Sequence, residues 1–234
     1  MKVLLVRLEA PLMAFGGVAI DNRGVTDQLP SASLLTGLLA NALGYRRGET
    51  EKLQVLQSRL SYAVRSDRSG HALQDFQTAR LAKDDKAWTT RGLPSGRDGG
   101  AKTYAGPHLR YRHYHADASV MVAIQLDPED DAPSPADCAT ALSSPARPLF
   151  IGRKPCLPSE PLLAGLVEAD SLLDALKQSP PQEECSDSDP IWLYQRSQQS
   201  HDAGLIRLSG RRDWANDVHQ GSEYWKRSKW GESS

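Results

Sequence analysis

The chain has 234 residues, which suits one large domain that buries a core without disulfide bonds. Its 28 basic and 29 acidic side chains give a formal net charge of −1, which argues against a uniformly basic nucleic-acid binder. The three cysteines are too widely spaced for a metal knuckle or an evident disulfide framework.

The amino-terminal sequence predicts no export signal, because its apolar stretch is short and Arg7 interrupts it early. No apolar run approaches the roughly 20 residues that a membrane-spanning helix requires. We therefore expect a soluble, cytoplasmic protein without a membrane partner.

The first part of the chain predicts strand, helix and strand. Residues 3–9 are an apolar run rich in branched side chains, typical of a buried strand. Residues 31–44 place leucines on one side at helical spacing. Thr50 introduces a second amphipathic stretch, and residues 61–65 alternate like a strand.

Residues 118–126 predict a further strand, residues 136–142 a short helix and residues 147–151 a last strand. The resulting order is that of the α+β ferredoxin-like or RRM-like βαββαβ plan. Such a sheet commonly presents an open face to single-stranded RNA.

A long arm at residues 74–115 interrupts this plan and shows no apolar periodicity. From residue 91 onward it combines cations, aromatic rings and glycines with a single acid, Asp98. Cations track phosphates and flat rings stack on unpaired bases, so the arm suits nucleic acid; a solvated surface loop is the alternative. Its candidate contact residues are Arg91, Arg97, Lys102, Tyr104, Arg110 and Arg112.

The near-neutral total charge conceals segregation, because acids crowd residues 127–137 and 168–189 while the arm and the region after residue 196 are basic. We divide the chain into residues 1–160, carrying the arm, and a C-terminal extension at 161–234. The extension predicts a helix at 171–178 capped by Asp170 or Ser171 and a linker near 179–190. Residues 191–196 and 205–208 could form a hairpin.

Seven sequence blocks resemble a known family in the correct order. They are VRLEAPLMAFG (6–16), PSASLLTGLLANALG (30–44), LSYAVRSDRSG (60–70), LQDFQTAR (73–80), YHADASVMVAI (114–124), RPLFIGRKPCLPSEPL (147–162) and the weaker GRRDWANDVHQG (210–221). Together they resemble the CasD family of type I-E CRISPR Cascade subunits, which belong to the RAMP superfamily.

This resemblance implies a non-catalytic subunit of an antiviral complex that caps the repeat-derived 5′ handle of the guide RNA (crRNA). A hairpin thumb, corresponding to the arm, would lie where handle meets spacer. The implied partners are the crRNA, the backbone RAMP subunits and large subunit of Cascade, and target DNA through the assembled complex. No cofactor or metal is implied.

Outside the arm, Gly152, Arg153 and Lys154 follow the predicted last strand, where backbone and side chains could approach phosphate together. Arg7 and Arg65 lie within strands and could either present to RNA or pair with Glu9 and Asp67.

Where relatives have a basic residue followed by Ser-Gly, this chain has Ala32, Ser33 and Leu34. One cation is therefore missing at the start of the first helix. The bare helix terminus could still favour phosphate through its N–H groups and dipole.

The rival hypothesis is a metal-independent endoribonuclease that processes precursor crRNA, as in type I-C relatives. General acid–base chemistry of this kind needs groups such as Tyr45, Lys102, His113 and His115, but their spacing forms no motif. The histidines at 108, 113 and 115 also lack a ligand set at a recognised zinc spacing.

Overall fold

The computed structural model describes residues 1–80, 106–181, 190–197 and 204–231. The helices are α1 (Ala32–Ala42), α2 (Thr50–Arg59), α3 (Pro135–Ser143) and α4 (Leu172–Gln178). The strands are β1 (Lys2–Met13), β2 (Arg23–Gly24), β3 (Leu60–Arg68), β4 (His71–Ala79), β5 (His108–Leu126), β6 (Leu163–Glu168), β7 (Trp192–Ser197), β8 (Ile206–Leu208), β9 (Arg211–Asp213), β10 (Val218–Gln220) and β11 (Glu223–Lys229).

One large sheet organises the molecule, with strand order β6-β1-β5-β3-β7-β11-β8 and antiparallel neighbours throughout. β2 and β4 also pair with β5, beyond the main body of the sheet. The predicted strands at 3–9, 61–65 and 118–126 and the predicted helices at 31–44 and 136–142 are confirmed. The chain is therefore a mixed α and β protein dominated by an antiparallel sheet.

The two faces of the sheet have separate apolar cores because successive strand residues point in opposite directions. Leu4, Val6 and Leu8 of β1 pack in the larger core with α1, whose Leu35 and Leu39 are buried. On the other face Val3 and Leu5 pack with Met121 and with α4, which buries Ala175 and Leu176. The sheet face that the sequence predicted to be open is thus partly covered by α4.

The predicted strand at residues 147–151 is wrong. These residues form a loop in which Ile151 is buried and accepts a hydrogen bond from the Ala14 N–H. Pro148 lacks an N–H to donate to a neighbouring strand. The edge position beside β1 is taken instead by β6, which pairs with it from Lys2↔Glu168 to Val6↔Leu163.

Both ends of the predicted arm are regular strands. β4 pairs with the first half of β5 from His71↔Ala116 to Ala79↔His108, which makes a two-stranded ribbon continuous with the core sheet. The middle of the arm lies outside the described residues.

The C-terminal strands extend the same sheet, so the predicted boundary at residue 160 falls between strands that share it. The hairpin predicted for residues 191–196 and 205–208 is wrong, because β11 lies between β7 and β8 and pairs with both. Trp225 of β11 is fully buried, its ring centroid 4.7 Å from that of Tyr62. The predicted capping of α4 by Ser171 is confirmed.

None of the helices in the described parts of the chain is long and apolar enough to cross a membrane.

Candidate nucleic-acid interface

A cleft of about 600 Å³ runs along α1 and continues past its C-terminal end. One wall is the loop after β1, which includes Gly16 and Gly17, and another is the loop that ends at Arg153. The hairpin formed by β9 and β10 supplies the third wall through Arg212, Trp214 and His219.

In the described parts of the chain, the charged side chains that line this cleft are all basic. Among the described residues that line it there is no Asp or Glu, although acids slightly outnumber bases in the whole chain. Its walls carry six arginines, namely Arg46, Arg47, Arg112, Arg147, Arg153 and Arg212. A concave surface lined by guanidinium groups concentrates positive potential and attracts polyanions.

The Asp27 carboxyl group lies close behind the glycine loop. Burial raises the pKa of Asp27, and the nearby His219 partly opposes this shift.

Gly152 is required by backbone geometry. Its φ is +88°, and a Cβ at this position would overlap the carbonyl oxygen of Ala14. The close approach joins the loop at 147–153 to the end of β1. Gly152 therefore shapes the cleft wall through its close approach to Ala14, while the residue itself is exposed.

Arg153 joins three segments. Its guanidinium donates to the carbonyl oxygens of His113 and Gly24, both at 2.9 Å, and of Val25 at 3.3 Å, and it lies 4.7 Å from the ring centroid of Tyr114. Arg153 thus positions β2 against the ribbon, whereas the neighbouring Lys154 is exposed.

The hairpin wall is held by Gln57 of α2, whose side chain is fully buried. Gln57 Nε2 donates to the Arg212 carbonyl at 2.8 Å, and its Oε1 accepts from Arg212 N at 3.1 Å and from Trp214 Nε1 at 3.2 Å. These three hydrogen bonds to one side-chain amide fix the positions of Arg212 and Trp214 relative to α2.

The N-terminus of α1 lacks a basic side chain, as the sequence indicates, and two of its N–H groups have protein acceptors. The Leu34 N–H donates to the capping Oγ of Ser31 at 3.2 Å, and the Ser33 N–H donates to the Gly210 carbonyl at 2.9 Å. Two of the N–H groups that a phosphate could have used are already bonded.

The ribbon carries an aromatic pair, in which Phe76 is exposed and Tyr111 is half-buried. The rings of Phe76 and Tyr111 lie 5.2 Å apart, with the Arg23 guanidinium 5.5 Å from the Tyr111 centroid. Arg110 donates to its own neighbour, the Leu109 carbonyl, while Arg112 faces the cleft.

Of the two alternatives for Arg65, the structure shows pairing, so its prediction as an RNA contact is wrong. Its side chain is fully buried and forms a two-point ion pair with Asp67. The remaining donors reach the carbonyl oxygens of Leu176 and Ser179 at the end of α4. Arg7 is half-buried on the same face.

The histidines that motivated the nuclease hypothesis serve the scaffold. The His115 ring nitrogen lies 2.8 Å from the Asp27 carbonyl oxygen, and its ring packs 5.0 Å from Phe15. His113 offers its carbonyl to Arg153. Within the described ranges, no group of three or more His, Cys, Asp or Glu side chains could hold a metal ion.

The family model described as CRISPR-associated protein (Cas_Cas5) matches residues 3–222. The chain belongs to the Cas5 family. Within it, the CRISPR system Cascade subunit CasD of Escherichia coli (strain K12) is 30% identical over 181 residues, covering 74% of this chain and 75% of that protein.

Two solved structures share the fold of this Cas5-family chain. A chain of a structure described as a CRISPR RNA-guided surveillance complex has a TM-score of 0.68 at 24% identity, covering 97% of this chain and 89% of that one. A crystal structure of a Cas protein has a TM-score of 0.62 at 24% identity, with coverages of 97% and 94%.

Sequence reasoning missed several cleft residues of this Cas5-family chain. Arg46 and Arg47 stand between two glycines directly after α1, a cation pair that could have been singled out. The block at 210–221 contains Arg212 and Trp214, but in the sequence it indicates only a weak family resemblance. Of the predicted arm residues, Arg91, Arg97, Lys102 and Tyr104 lie outside the described residues.

Proposed function

We propose that this protein is a CasD-type subunit of a CRISPR Cascade complex that binds the 5′ handle of the crRNA. The observation that carries the proposal is the cleft with six arginines and no described carboxylate in its lining. The neighbouring rings of Phe76 and Tyr111 on the ribbon suit unpaired bases. The 30% identity to a CasD protein supports the same assignment.

We also propose that β1, α1, β3, β5, α3 and β6 constitute a ferredoxin-like core. The antiparallel order β6-β1-β5-β3 and the placement of α1 and α3 between successive strands support this arrangement. In it, β6 replaces the predicted strand at 147–151. The ribbon of β4 and β5 then forms the stem of the thumb. Arg91, Arg97, Lys102 and Tyr104 remain proposed RNA contacts of the thumb.

The RNA path that we infer avoids the sheet face beneath α4 and follows the ribbon into the cleft. Arg110, Arg112 and Lys154 are placed along this path as phosphate contacts, and Gly152 and Arg153 keep its wall in shape. Other Cascade subunits would complete the complex, and target DNA would be recognised through the assembled complex.

RNA that copurifies with the tagged protein from its own host tests the proposal. Sequencing should return guide RNAs with one uniform repeat-derived 5′ end, together with the other Cascade subunits in the purified material. Recovery of heterogeneous cellular RNA without a common 5′ end would instead identify a general RNA-binding protein.

Reversing two exposed charges should weaken handle binding. Hydrogen bonds to charged groups contribute roughly 1.5–3 kcal/mol each, so Arg46→Glu with Lys154→Glu should reduce affinity by at least about tenfold. Loss of two phosphate contacts should make the slope of log K against log salt less negative by about 1.4. The matched control, Lys226→Glu with Lys229→Glu, makes the same charge change on exposed positions of β11 and should bind normally. Equal losses of affinity in the double variant and its control would show that the RNA does not contact Arg46 or Lys154.

We infer further that the protein does not cut RNA. Purified protein should leave precursor repeat RNA intact for hours, with or without divalent metal, as resolved on a denaturing gel. Cleavage at a single position in the repeat, lost on His113→Ala or His115→Ala while the fold persists, would establish the nuclease hypothesis.

A further inference from the structure

Two arginines of the cleft share one carboxylate. Arg47 Nη2 and Arg212 Nη2 each lie 2.5 Å from a different oxygen of Asp217. Arg47 comes from the turn after α1, Arg212 from β9 and Asp217 from the turn between β9 and β10. The three side chains therefore bridge two walls of the cleft at its arginine-rich end.

The carboxylate is the dispensable member of this group. Arg47 and Arg212 line the cleft, whereas Asp217 does not. The side chains of Arg47 and Asp217 are 66% and 49% exposed. Exposed ion pairs of this kind contribute only about 0–1 kcal/mol each, so an incoming anion can replace the carboxylate at small cost.

Arg212 has an unused donor. Its Nε is buried, yet it has no hydrogen-bond acceptor in the part of the chain that the structure describes. Asp217 engages only Nη2, through its carboxylate and its carbonyl oxygen. The Nη groups of Arg47 and Arg212 can together bond a phosphate, which has more acceptor oxygens than a carboxylate.

The support of Arg212 is independent of the carboxylate. Arg212 is fixed through its backbone by Gln57, and its guanidinium lies 5.7 Å from the Trp214 ring centroid. Burial raises the pKa of Asp217, but Arg212 and Arg47 more than offset this and hold the pKa below its ordinary value. The carboxylate is therefore ionised at neutral pH and resembles a bound anion.

We propose that Arg47 and Arg212 form a binding site for one phosphodiester of the RNA, and that Asp217 occupies this site until the phosphate replaces it. The inference rests on the proposed function, because it assigns the RNA backbone to a defined pair of side chains in that cleft. Asp217 then lowers the affinity of the free protein for any polyanion, and a correctly placed phosphate must compete with it.

Removing the competing carboxylate should tighten RNA binding. Asp217 has φ +61°, a conformation that Asn and Gly tolerate, so Asp217→Asn and Asp217→Gly preserve the turn. With its native partner subunits, each variant should bind a synthetic single-stranded RNA of the host's repeat-derived handle about threefold to tenfold more tightly, as followed by fluorescence anisotropy. The slope of log K against log salt should become more negative by about 0.7 for each additional phosphate that the variant neutralises.

Two controls separate this effect from the loss of one negative charge. Asp130→Asn makes the same charge change at an exposed position outside the cleft lining and should leave affinity unchanged. In an Arg47→Gln background the increase in affinity from Asp217→Asn should shrink, because one of the two released donors is gone.

The outcomes are distinguishable. If the parent protein binds the handle and Asp217→Asn behaves like Asp130→Asn, or binds more weakly, the phosphate site is wrong while the proposed function stands. If the parent complex does not bind the handle RNA at all, both are wrong.

Discussion

Arg65→Met is expected to lower the free energy of unfolding by about 3–5 kcal/mol, because removing one partner of a buried ion pair leaves the other uncompensated. Asp67, itself only 6% exposed, would lose its two-point partner. The carbonyl oxygens of Leu176 and Ser179 would lose a donor at the same time, which loosens the end of α4. Urea denaturation measures the loss, and amide exchange in residues 172–178 localises it.

Arg7→Met is the matched control for this prediction. Arg7 and Arg65 pair with Met121 from opposite sides in the sheet register, yet Arg7 is only half-buried. Its replacement should change stability by less than about 1 kcal/mol. In the double variant Arg65→Met with Asp67→Leu, part of the lost stability should return because no unpaired carboxylate remains. An Arg65→Met variant as stable as the parent would show that the pair is not required.

Gly152→Ala is expected to destabilise the protein by more than about 2 kcal/mol. The left-handed backbone conformation alone costs an L-residue roughly 1–2 kcal/mol. Overlap of the new Cβ with the Ala14 carbonyl oxygen forces the loop away from β1 and adds to this. Thermal unfolding should register the change, and handle binding should weaken with it because Arg153 follows directly in the chain.

Gly204→Ala is the control that separates the cost of backbone strain from the cost of steric overlap. Gly204 has φ +87°, nearly the same as Gly152 at +88°, but a Cβ there meets no atom of the described residues within 4 Å. We expect it to cost only the backbone strain. Equal destabilisation by the two variants would show that the approach to Ala14 is unimportant.

The sequence predicts those helices and strands whose own residues carry a strong apolar or capping pattern. β1, α1 and residues 118–126 of β5 have strong apolar patterns, and the Ser134–Asp137 capping box predicts the start of α3 from the sequence. β6 is not predicted from the sequence because its apolar residues do not alternate in step with burial. Its partly buried side includes Gly165, while Leu166 is 40% exposed.

The interior position of Arg65 could not be predicted from local sequence. Alternation places it on the face opposite Val64, but period-two patterning does not tell which face is covered. The residues that cover it belong to α4, where Leu176 lies 111 positions later in the chain. The cleft was missed for the same reason, since Arg46, Arg112 and Arg212 converge only through tertiary packing.

The position of β11 has a consequence for biosynthesis. β8 is synthesised before β11, yet β11 is its only strand neighbour in the described ranges, and β7 likewise acquires its second neighbour from β11. A nascent chain emerges from its N-terminus and folds progressively, so this half of the sheet cannot close until residues 223–229 have left the ribosome. Until then Tyr62 lacks the covering ring of Trp225. A message truncated just before Glu223 would therefore yield a chain whose core remains open at β3 and is prone to aggregate.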